Sequence, residues 1–377
     1  MDMRDRFRGC LLGGAIGDAL GYPIEFMDLS EIRHHYGEDG LTDLLIDPLS
    51  GKALFSDDTQ MTLFTASGLL NASMRIRSRG IGSFVASGVY PAYLRWLYTQ
   101  TGESPRPFYL KPTPYERDGQ IPFILDYKEL FASRAPGNTC LFALASGKIG
   151  TTEAPLNNSK GCGGVMRIAP VGLAFAKRAQ TAYQRGTEIA AITHGHPSGY
   201  HAAAVLSVFV SVLARGESIL QALSVAERQL LVWCGIKDAE KELLDEIGYD
   251  AFFQMPEYYG RDFEEVYRAI SKAIALSESD TSPEQAIEEL GGGWVGEEAL
   301  AIGLYCVLKE PDFKKALLMS VNHSGDTDST GAICGNLLGA LHGMSSIPKD
   351  WVEKIEANTF IIKMADCLFE HFVKLIL

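Results

Sequence analysis

Two short acidic stretches contain the residues of this sequence with the clearest capacity for chemistry. Residues 56–59 read SDDT, and residues 326–329 read DTDS. Taken singly, a stretch of this kind is more often a helix N-cap, because its oxygens accept hydrogen bonds from the free N–H groups of the first turn. Brought together, the same carboxylate and hydroxyl oxygens would suit Mg²⁺, Mn²⁺ or Ca²⁺ rather than Zn²⁺.

A shared metal site would also account for the charge of these stretches. Together with Glu25, the side chains of Asp57, Asp58, Asp326 and Asp328 would place five carboxylates in one region. Carboxylates at short range repel one another and take up protons unless cations compensate them. Two divalent cations would neutralise four of the five negative charges, so convergence of the two stretches predicts a centre of two ions.

A glycine repeat supplies a reason for the two stretches to converge. Glycine recurs at every fourth residue near both ends of the chain, at Gly9, Gly13, Gly17, Gly21, Gly331, Gly335, Gly339 and Gly343. Each glycine in a helix interior costs about 1 kcal/mol relative to alanine, so the repeat needs a structural reason. Close backbone contact between two buried helices is that reason, and it would draw the N-terminal and C-terminal segments together.

The rest of the chain also has the pattern of helices. Val266, Ala269, Ile270, Ala273 and Ile274 follow the spacing of a buried helical face, and sustained two-residue alternation is nearly absent. Hydrophobic residues make up 46% of the 377 residues, which is enough for one large core. We therefore expect an all-α fold, built as a single compact domain over residues 1–377.

One segment breaks the helical pattern. Five prolines lie between residues 104 and 122, interleaved with Phe108, Tyr109 and Tyr115. Repeated proline is incompatible with a helix interior, so we expect a loop insertion over residues 104–122. The loop either covers a ligand site or is a surface insertion without a role.

The overall composition restricts partners and location. A net charge of −13 argues against a nucleic-acid-binding protein, which would carry a basic face. The seven cysteines are scattered without a CxxC pair, which favours a reducing, cytoplasmic setting over a disulfide framework. No signal peptide is evident, and the longest apolar run, residues 202–214, is too short to span a bilayer. No membrane association is therefore expected.

Several further motifs resemble those of the ADP-ribosylglycohydrolases, a family related to dinitrogenase reductase-activating glycohydrolase. Besides the acidic stretches and Glu25, the matching pieces are residues 9–21 (GCLLGGAIGDALG), 134–139 (RAPGNT), 161–167 (GCGGVMR), 193–197 (THGHP), 291–294 (GGGW) and 325–329 (GDTDS). Each piece alone is weak, but all of them in this order are specific. The resemblance implies an all-α, orthogonal helical domain of the ADP-ribosylglycohydrolase type with two Mg²⁺ ions, Mn²⁺ being possible.

The resemblance also implies roles for individual residues. The metal ligands would be Ser56, Asp57, Asp58, Asp326, Asp328 and Ser329. Many relatives have threonine at the first and last of these positions, and serine keeps the hydroxyl oxygen. Glu25, Asp57 and Asp326 would be the catalytic residues, whereas Asp18 is interpreted as a structural partner.

The implied substrate pocket is built around a glycine cluster. Its residues would be Gly161, Cys162, Gly163, Gly164, Val165, Met166 and His194. Glycine allows backbone N–H groups to approach a pyrophosphate without added positive charge. Many relatives have asparagine where Cys162 stands, so one side-chain contact differs here. Arg167 is expected to brace the loop through a carboxylate.

These implications predict a Mg²⁺-dependent hydrolase that removes ADP-ribose from an acceptor. The partner would be an ADP-ribosylated protein or a small ADP-ribose conjugate, with arginine, serine and O-acetyl linkages as candidates. Two alternatives stay open, namely a non-catalytic ADP-ribose or nucleotide sensor on the same fold and a Mg²⁺-dependent nucleotide phosphohydrolase. The oligomeric state does not follow from the sequence.

Overall fold

Helices make up almost all regular structure in the computed structural model, which describes residues 2–374. The helices that begin before residue 200 are α1 Met3–Gly21, α2 Leu29–Tyr36, α3 Asp57–Arg79, α4 Tyr90–Thr101, α5 Pro114–Arg117, α6 Asn138–Ala145, α7 Ala169–Ala174, α8 Ala179–Ala190 and α9 Pro197–Ala214. The later helices are α10 Ile219–Trp233, α11 Asp238–Ile247, α12 Tyr249–Gln254, α13 Glu264–Glu278, α14 Pro283–Leu290, α15 Gly296–Lys309, α16 Phe313–Met319, α17 Thr327–His342, α18 Lys349–Lys354 and α19 Asn358–Phe369.

Extended structure is confined to single residue pairs. Within residues 2–374 the β-bridges join Asp47 to Lys52, Ala53 to Ile355 and Gly161 to Val295. Shorter 3-10 or π turns are Tyr22–Ile24, Val85–Val89, Pro107–Leu110, Ile124–Asp126, Lys128–Phe131, Cys162–Gly164, Met344–Ser346 and Glu370–Lys374. The predicted all-α fold class is therefore confirmed.

The glycine repeat forms the centre of the fold, as predicted. Helices α1 and α17 run antiparallel, with Gly13 facing Gly335 and Gly17 facing Gly331. A methyl group on Gly13 or Gly17 would overlap the carbonyl oxygen of the opposite glycine, well under 3.0 Å away. The missing side chains therefore let the two backbones touch, and both helices are buried over most of their length.

This contact fixes the end of α1 against the start of α17. The Thr327 hydroxyl donates a hydrogen bond of 2.9 Å to the Gly21 carbonyl oxygen. Near the other end of the pair, the Asn336 side chain donates to the Cys10 carbonyl at 2.8 Å. A single 3-10 turn separates Glu25 from the end of α1, so Glu25 lies next to residues 326–329.

Helix α9 is long and strongly apolar. It is 18 residues long with a mean hydropathy of 1.4, which by length and composition alone is enough to cross a membrane. However, 94% of it is buried inside the protein, as expected of a core helix. The helix is longer than the predicted run of residues 202–214 because it begins at Pro197, capped by the His196 side chain.

The proline-rich segment is more ordered than a plain loop. Within residues 104–122 the chain forms the 3-10 turn Pro107–Leu110 and the one-turn helix α5. The expectation that proline forbids helix here is wrong for these turns, because proline stands at the first helical position, where its missing N–H costs nothing. Thr113 and Glu116 complete a capping box around α5.

Candidate active site

The start of α3 is held in place by Asp18 of α1. Both Asp18 oxygens are used, because Oδ1 accepts the Ser56 N–H at 2.8 Å and Oδ2 accepts the Thr59 N–H at 2.9 Å. Oδ2 also accepts the Thr59 hydroxyl at 2.5 Å. Asp18 is therefore the structural partner that the sequence suggested, and it aligns α3 with the end of α1.

Three helix termini now meet, and each brings acidic side chains. The carboxylates of Glu25, Asp57, Asp58, Asp326 and Asp328 are all buried, none with more than 7% of its surface exposed. Ligand atoms of Glu25, Asp326 and Asp328 lie within 4.8 Å of one another. The two acidic stretches and Glu25 therefore converge, as the glycine repeat predicted.

Hydrogen bonds link the two acidic stretches directly. The Ser329 hydroxyl donates to Asp58 Oδ2 at 3.0 Å, and the Ser329 N–H donates to Asp328 Oδ1 at 2.7 Å. Asp57 Oδ2 accepts the Gly137 N–H at 3.1 Å, so a third segment closes on the same cluster. Ser329 thus lies between carboxylates of both stretches.

No compensating positive charge contacts the cluster in the described part of the chain. Among residues 2–374, no lysine or arginine forms an ion pair with any of the five carboxylates. Glu25 Oε2 is buried without any hydrogen-bond partner. Burial, with the nearby charges of Asp326 and Asp57, raises the pKa of Glu25 to about 8. Burial and the charges of Asp18 and Asp326 raise the pKa of Asp57 to about 8.

The pKa values of Asp58 and Asp328 are raised as well. Burial, followed by the charges of neighbouring aspartates, raises the pKa of Asp58 and of Asp328 well above the usual range. A buried oxygen without a partner, inside a group of like charges, is what a bound cation would satisfy. The donor set contains carboxylate and hydroxyl oxygens, which fits hard divalent cations such as Mg²⁺ and Mn²⁺.

A cleft of about 200 Å³ opens above the carboxylates. Of the predicted substrate residues, Gly161, Cys162, Gly163, Met166 and His194 line it, together with all five carboxylates and Ser329. The N–H groups of Gly161 and Cys162 are already bonded, to the Ser159 hydroxyl at 3.3 Å and the Trp294 carbonyl at 3.1 Å. This part of the glycine cluster therefore forms a neutral wall, whose shape is set by internal hydrogen bonds.

Three predicted site residues do not line the cleft. Ser56 is fully buried and caps α3, accepting the Asp58 N–H at 3.2 Å. Gly164 packs against Ala190 and Gly199, and Val165 is fully buried beneath the cleft wall. The Ser56 hydroxyl accepts a helix N–H and does not line the cleft, so its role as a metal ligand stays a prediction.

Cys162 and His194 take different positions on the wall. The Cys162 thiol donates to Asp326 Oδ2 at 2.7 Å. Burial and the charges of Asp326 and Asp58 raise the pKa of this thiol well above its usual range, which favours the protonated thiol that donates to Asp326. Burial and the charge of Arg167 lower the pKa of His194 to about 3, so His194 is neutral at physiological pH.

Arg167 differs from its predicted role. It is fully buried, and its guanidinium donates to the Thr193 hydroxyl at 2.5 Å and to Cys140 Sγ at 3.1 Å. It also lies 4.4 Å from the centre of the Tyr93 ring. No carboxylate pairs with it among residues 2–374, so Arg167 braces the wall through a hydroxyl, sulfur and an aromatic face rather than through an acid.

Other cleft residues had no role assigned from sequence. They are Ala135, Gly137, Asn138, Thr139, Cys140 and Trp294. The first five lie in or directly after the RAPGNT piece, and Trp294 ends the GGGW piece, so the motifs marked these segments without indicating their position. Trp294 is 46% exposed and stacks on Phe26, with 6.0 Å between ring centres and an interplanar angle of 21°.

Without bound cations, the carboxylate cluster should make the protein less stable as the pH rises. Unfolded Glu and Asp have a pKa of about 4, so between pH ~4 and ~8 folded Glu25 and Asp57 hold protons that the unfolded chain has released. The free energy of unfolding in EDTA should therefore fall as pH rises from 5.5 to 8.5 in denaturant titrations. The Glu25→Gln, Asp57→Asn double variant should show a flatter profile. A steeper decline in that variant would contradict the assignment.

Comparison with known proteins covers nearly the whole chain. A family model described as ADP-ribosylglycohydrolase matches residues 1–375. The ADP-ribosylhydrolase ARH3 of Bos taurus is 26% identical over 405 residues, covering 98% of this chain and 93% of that protein. The ADP-ribosyl-[dinitrogen reductase] glycohydrolase of Rhodospirillum rubrum is 25% identical over 361 residues, covering 94% and 91% of the two chains.

A solved structure has the same fold. It is titled "ADP-ribosylglycohydrolase-related protein complex" and matches with a TM-score of 0.61 and 21% sequence identity, covering 98% of this chain and 99% of that chain. The family match extends over all the helix termini that build the cleft. The chain therefore belongs to the ADP-ribosylglycohydrolase family, whose members are hydrolases of glycosidic bonds.

Proposed function

We propose that this hydrolase removes ADP-ribose from an N- or O-linked acceptor and depends on two divalent cations, Mg²⁺ or Mn²⁺. The observation that carries the proposal is the cluster of five buried carboxylates without a counter-charge, at the meeting point of three helix termini. Burying these like charges lowers the stability of the protein when no cation is bound, and bound cations remove that cost. Membership of the family supports the type of bond that is cleaved, and the cluster supports a requirement for cations.

The residues that would hold the cations are those of the two acidic stretches. Asp57 and Asp58 approach from the start of α3, and Asp326, Asp328 and Ser329 from the start of α17. When bound, the cations would fix the ribose diol and make a water molecule more acidic. The fixed helix termini keep the ligand oxygens in place, because Asp18 and the glycine contact leave α1, α3 and α17 no freedom to separate.

The remaining cleft residues would bind and orient the substrate. Glu25 presents a buried oxygen without a partner, which is positioned to exchange a proton or to complete the cation site. Neutral His194 lies against Gly163, where a methyl group would stand 3.0 Å from its ring. This wall is uncharged, so the choice of ADP-ribose as the bound sugar phosphate rests on the family rather than on the wall.

Product analysis tests the proposal directly. The protein with Mg²⁺ or Mn²⁺ should release free ADP-ribose from at least one of ADP-ribosyl-arginine, ADP-ribosyl-serine peptide and O-acetyl-ADP-ribose. Tight binding of these conjugates without turnover would replace the proposal by a sensor function. Release of inorganic phosphate from nucleotides instead would indicate a phosphohydrolase.

Cation binding should also stabilise the fold. At a cation concentration 100-fold above Kd, the linkage free energy is ~2.7 kcal/mol, which should raise Tm by about 3 °C in a chain of this size. Differential scanning fluorimetry with Mg²⁺ and with EDTA measures this shift. Asp58→Asn should remove most of it, whereas Asp312→Asn, at the helix cap of α16 outside the cleft, should leave it unchanged. Equal shifts in both variants would count against the carboxylate cluster as the binding site.

A further inference from the structure

A second cavity lies under the proline-rich segment. Its volume is about 400 Å³, and it is formed by the C-terminal half of α3, the start of α4 and residues 108–117. It shares no lining residue with the cleft of the carboxylates. A volume of ~300–1,000 Å³ is typical of sites for small molecules.

The charge of this cavity is opposite to that of the chain. Arg75, Arg79, Lys111 and Arg117 line it, and no aspartate or glutamate does. Within residues 2–374, none of these four side chains forms an ion pair with a carboxylate. The whole chain carries a net charge of −13, so this local concentration of cations is not a consequence of composition. Such a concave group of cations attracts anions.

A buried network gives the cavity a fixed shape. Arg95 is 3% exposed and forms two hydrogen bonds to the Glu116 carboxylate, of 2.6 and 3.1 Å. The same guanidinium donates to the carbonyls of Tyr109 at 2.7 Å and Lys111 at 2.9 Å. The proline-rich segment is therefore tied to α4, and the backbone of Lys111 is held beside the cavity before any ligand binds.

The other wall of the cavity is aromatic. Phe108, Tyr109 and Tyr115 line it together with three prolines. Phe108 is 78% exposed, so its ring is accessible to a ligand. Tyr115 is held by a hydrogen bond between its hydroxyl and Ser78 at the end of α3. Cations and flat apolar faces thus border the same space.

We propose that this cavity binds a nucleoside polyphosphate, with the phosphates on the arginine and lysine side chains and the base on the aromatic wall. Several cations suit a group with several negative charges, and guanidinium groups match phosphate oxygens in geometry. The base accounts for the aromatic wall, because aromatic side chains stack on nucleobases. The acidic remainder of the surface disfavours an extended phosphate backbone, so a small ligand is preferred over nucleic acid.

The site is independent of the proposed hydrolase function. Asp57 and Arg75 lie on the same helix, 18 residues apart, which corresponds to about 27 Å at 1.5 Å per residue. Substitutions around Arg75 therefore leave the carboxylate cluster untouched. Binding at this cavity can be tested whether or not ADP-ribose is released from any conjugate.

Calorimetric titration with a non-hydrolysable ATP analogue, in the presence of Mg²⁺ and saturating ADP-ribose, tests the inference. Wild-type protein should bind the analogue, and Arg75→Ala, Arg79→Ala should weaken binding at least about tenfold, because charge-assisted hydrogen bonds are lost. Phe108→Ala should weaken it at least about fivefold through lost stacking. Arg77→Ala is the matched control, because Arg77 lies on the same helix, contacts the His371 carbonyl and does not line the cavity.

Three results would overturn the inference. The first is binding of the analogue that is equal in wild type and in the Arg75→Ala, Arg79→Ala variant. The second is tripolyphosphate binding as tightly as the analogue with no effect of Phe108→Ala, since the base would then have no part. The third is tighter binding of a single-stranded 12-nucleotide DNA than of the analogue, which would identify a nucleic-acid site instead.

Discussion

Asp326→Asn is expected to lower release of ADP-ribose at least about 100-fold. In the proposed function Asp326 is a direct metal ligand, and loss of such a ligand should exceed the ~10–100-fold cost of altering its supporting residues. Asp326 shares the closest group of ligand oxygens with Glu25 and Asp328. It also accepts the thiol hydrogen of Cys162, which ties the cleft wall to the cluster. The substitution removes one negative charge and one ligand oxygen while keeping the side-chain shape.

The folded state should survive this change. Asparagine caps helices about as well as aspartate, so the start of α17 keeps its capping interaction. Asp312→Asn makes the same exchange at the N-cap of α16 and should leave turnover unchanged. Steady-state release of ADP-ribose and the circular dichroism spectrum should be measured for both variants. Turnover by Asp326→Asn within a few-fold of wild type would exclude Asp326 as a metal ligand.

Gly335→Ala is expected to cause a large loss of stability through the addition of a single methyl group. The added methyl group would overlap the Gly13 carbonyl oxygen on α1. Both atoms belong to buried helices, so relief requires the helices to separate along their whole contact. We expect the free energy of unfolding to fall by at least about 3 kcal/mol, at the upper end of overpacking effects.

The control for this effect is a glycine with free space around it. A methyl group on Gly137 would meet only Asp57 Oδ2, at 4.0 Å, so Gly137→Ala should change the free energy of unfolding by less than about 1 kcal/mol. Denaturant titration measures both variants. If Gly335→Ala is too unstable to purify, the yield of soluble protein beside that of Gly137→Ala gives the same comparison. Equal stability of the two variants would contradict a close-packed helix pair.

The parts of the fold that sequence predicted are those governed by local or repeated patterns. The four-residue glycine period indicated the contact between α1 and α17, because only direct backbone contact justifies so many helix-interior glycines. The stretch SDDT marked the start of α3 through ordinary capping preferences. Once the glycine pair is known, the meeting of Glu25 with Asp326 and Asp328 follows from chain connectivity.

Other features depended on distant contacts that no local pattern encodes. Asp57 accepts the Gly137 N–H across 80 residues, so the position of the RAPGNT segment beside the cluster was not predictable. Trp294 reaches the cleft because its carbonyl accepts the Cys162 N–H. Arg167 was expected beside a carboxylate, but it contacts a thiol, a hydroxyl and an aromatic ring instead. Each of these results from packing of the finished core.

The contact between α1 and α17 has a consequence for biosynthesis. Cys10 and Asn336, which bond across the pair, are 326 residues apart in sequence. At ~5–20 residues per second, a ribosome needs roughly 15 to 60 s to make the intervening chain. During that time the glycine face of α1 cannot pack against α17. Bringing two segments together across 326 residues also costs of order 5 kcal/mol in chain entropy. We therefore expect nascent chains to need chaperones until α17 emerges, and prematurely terminated chains to be degraded.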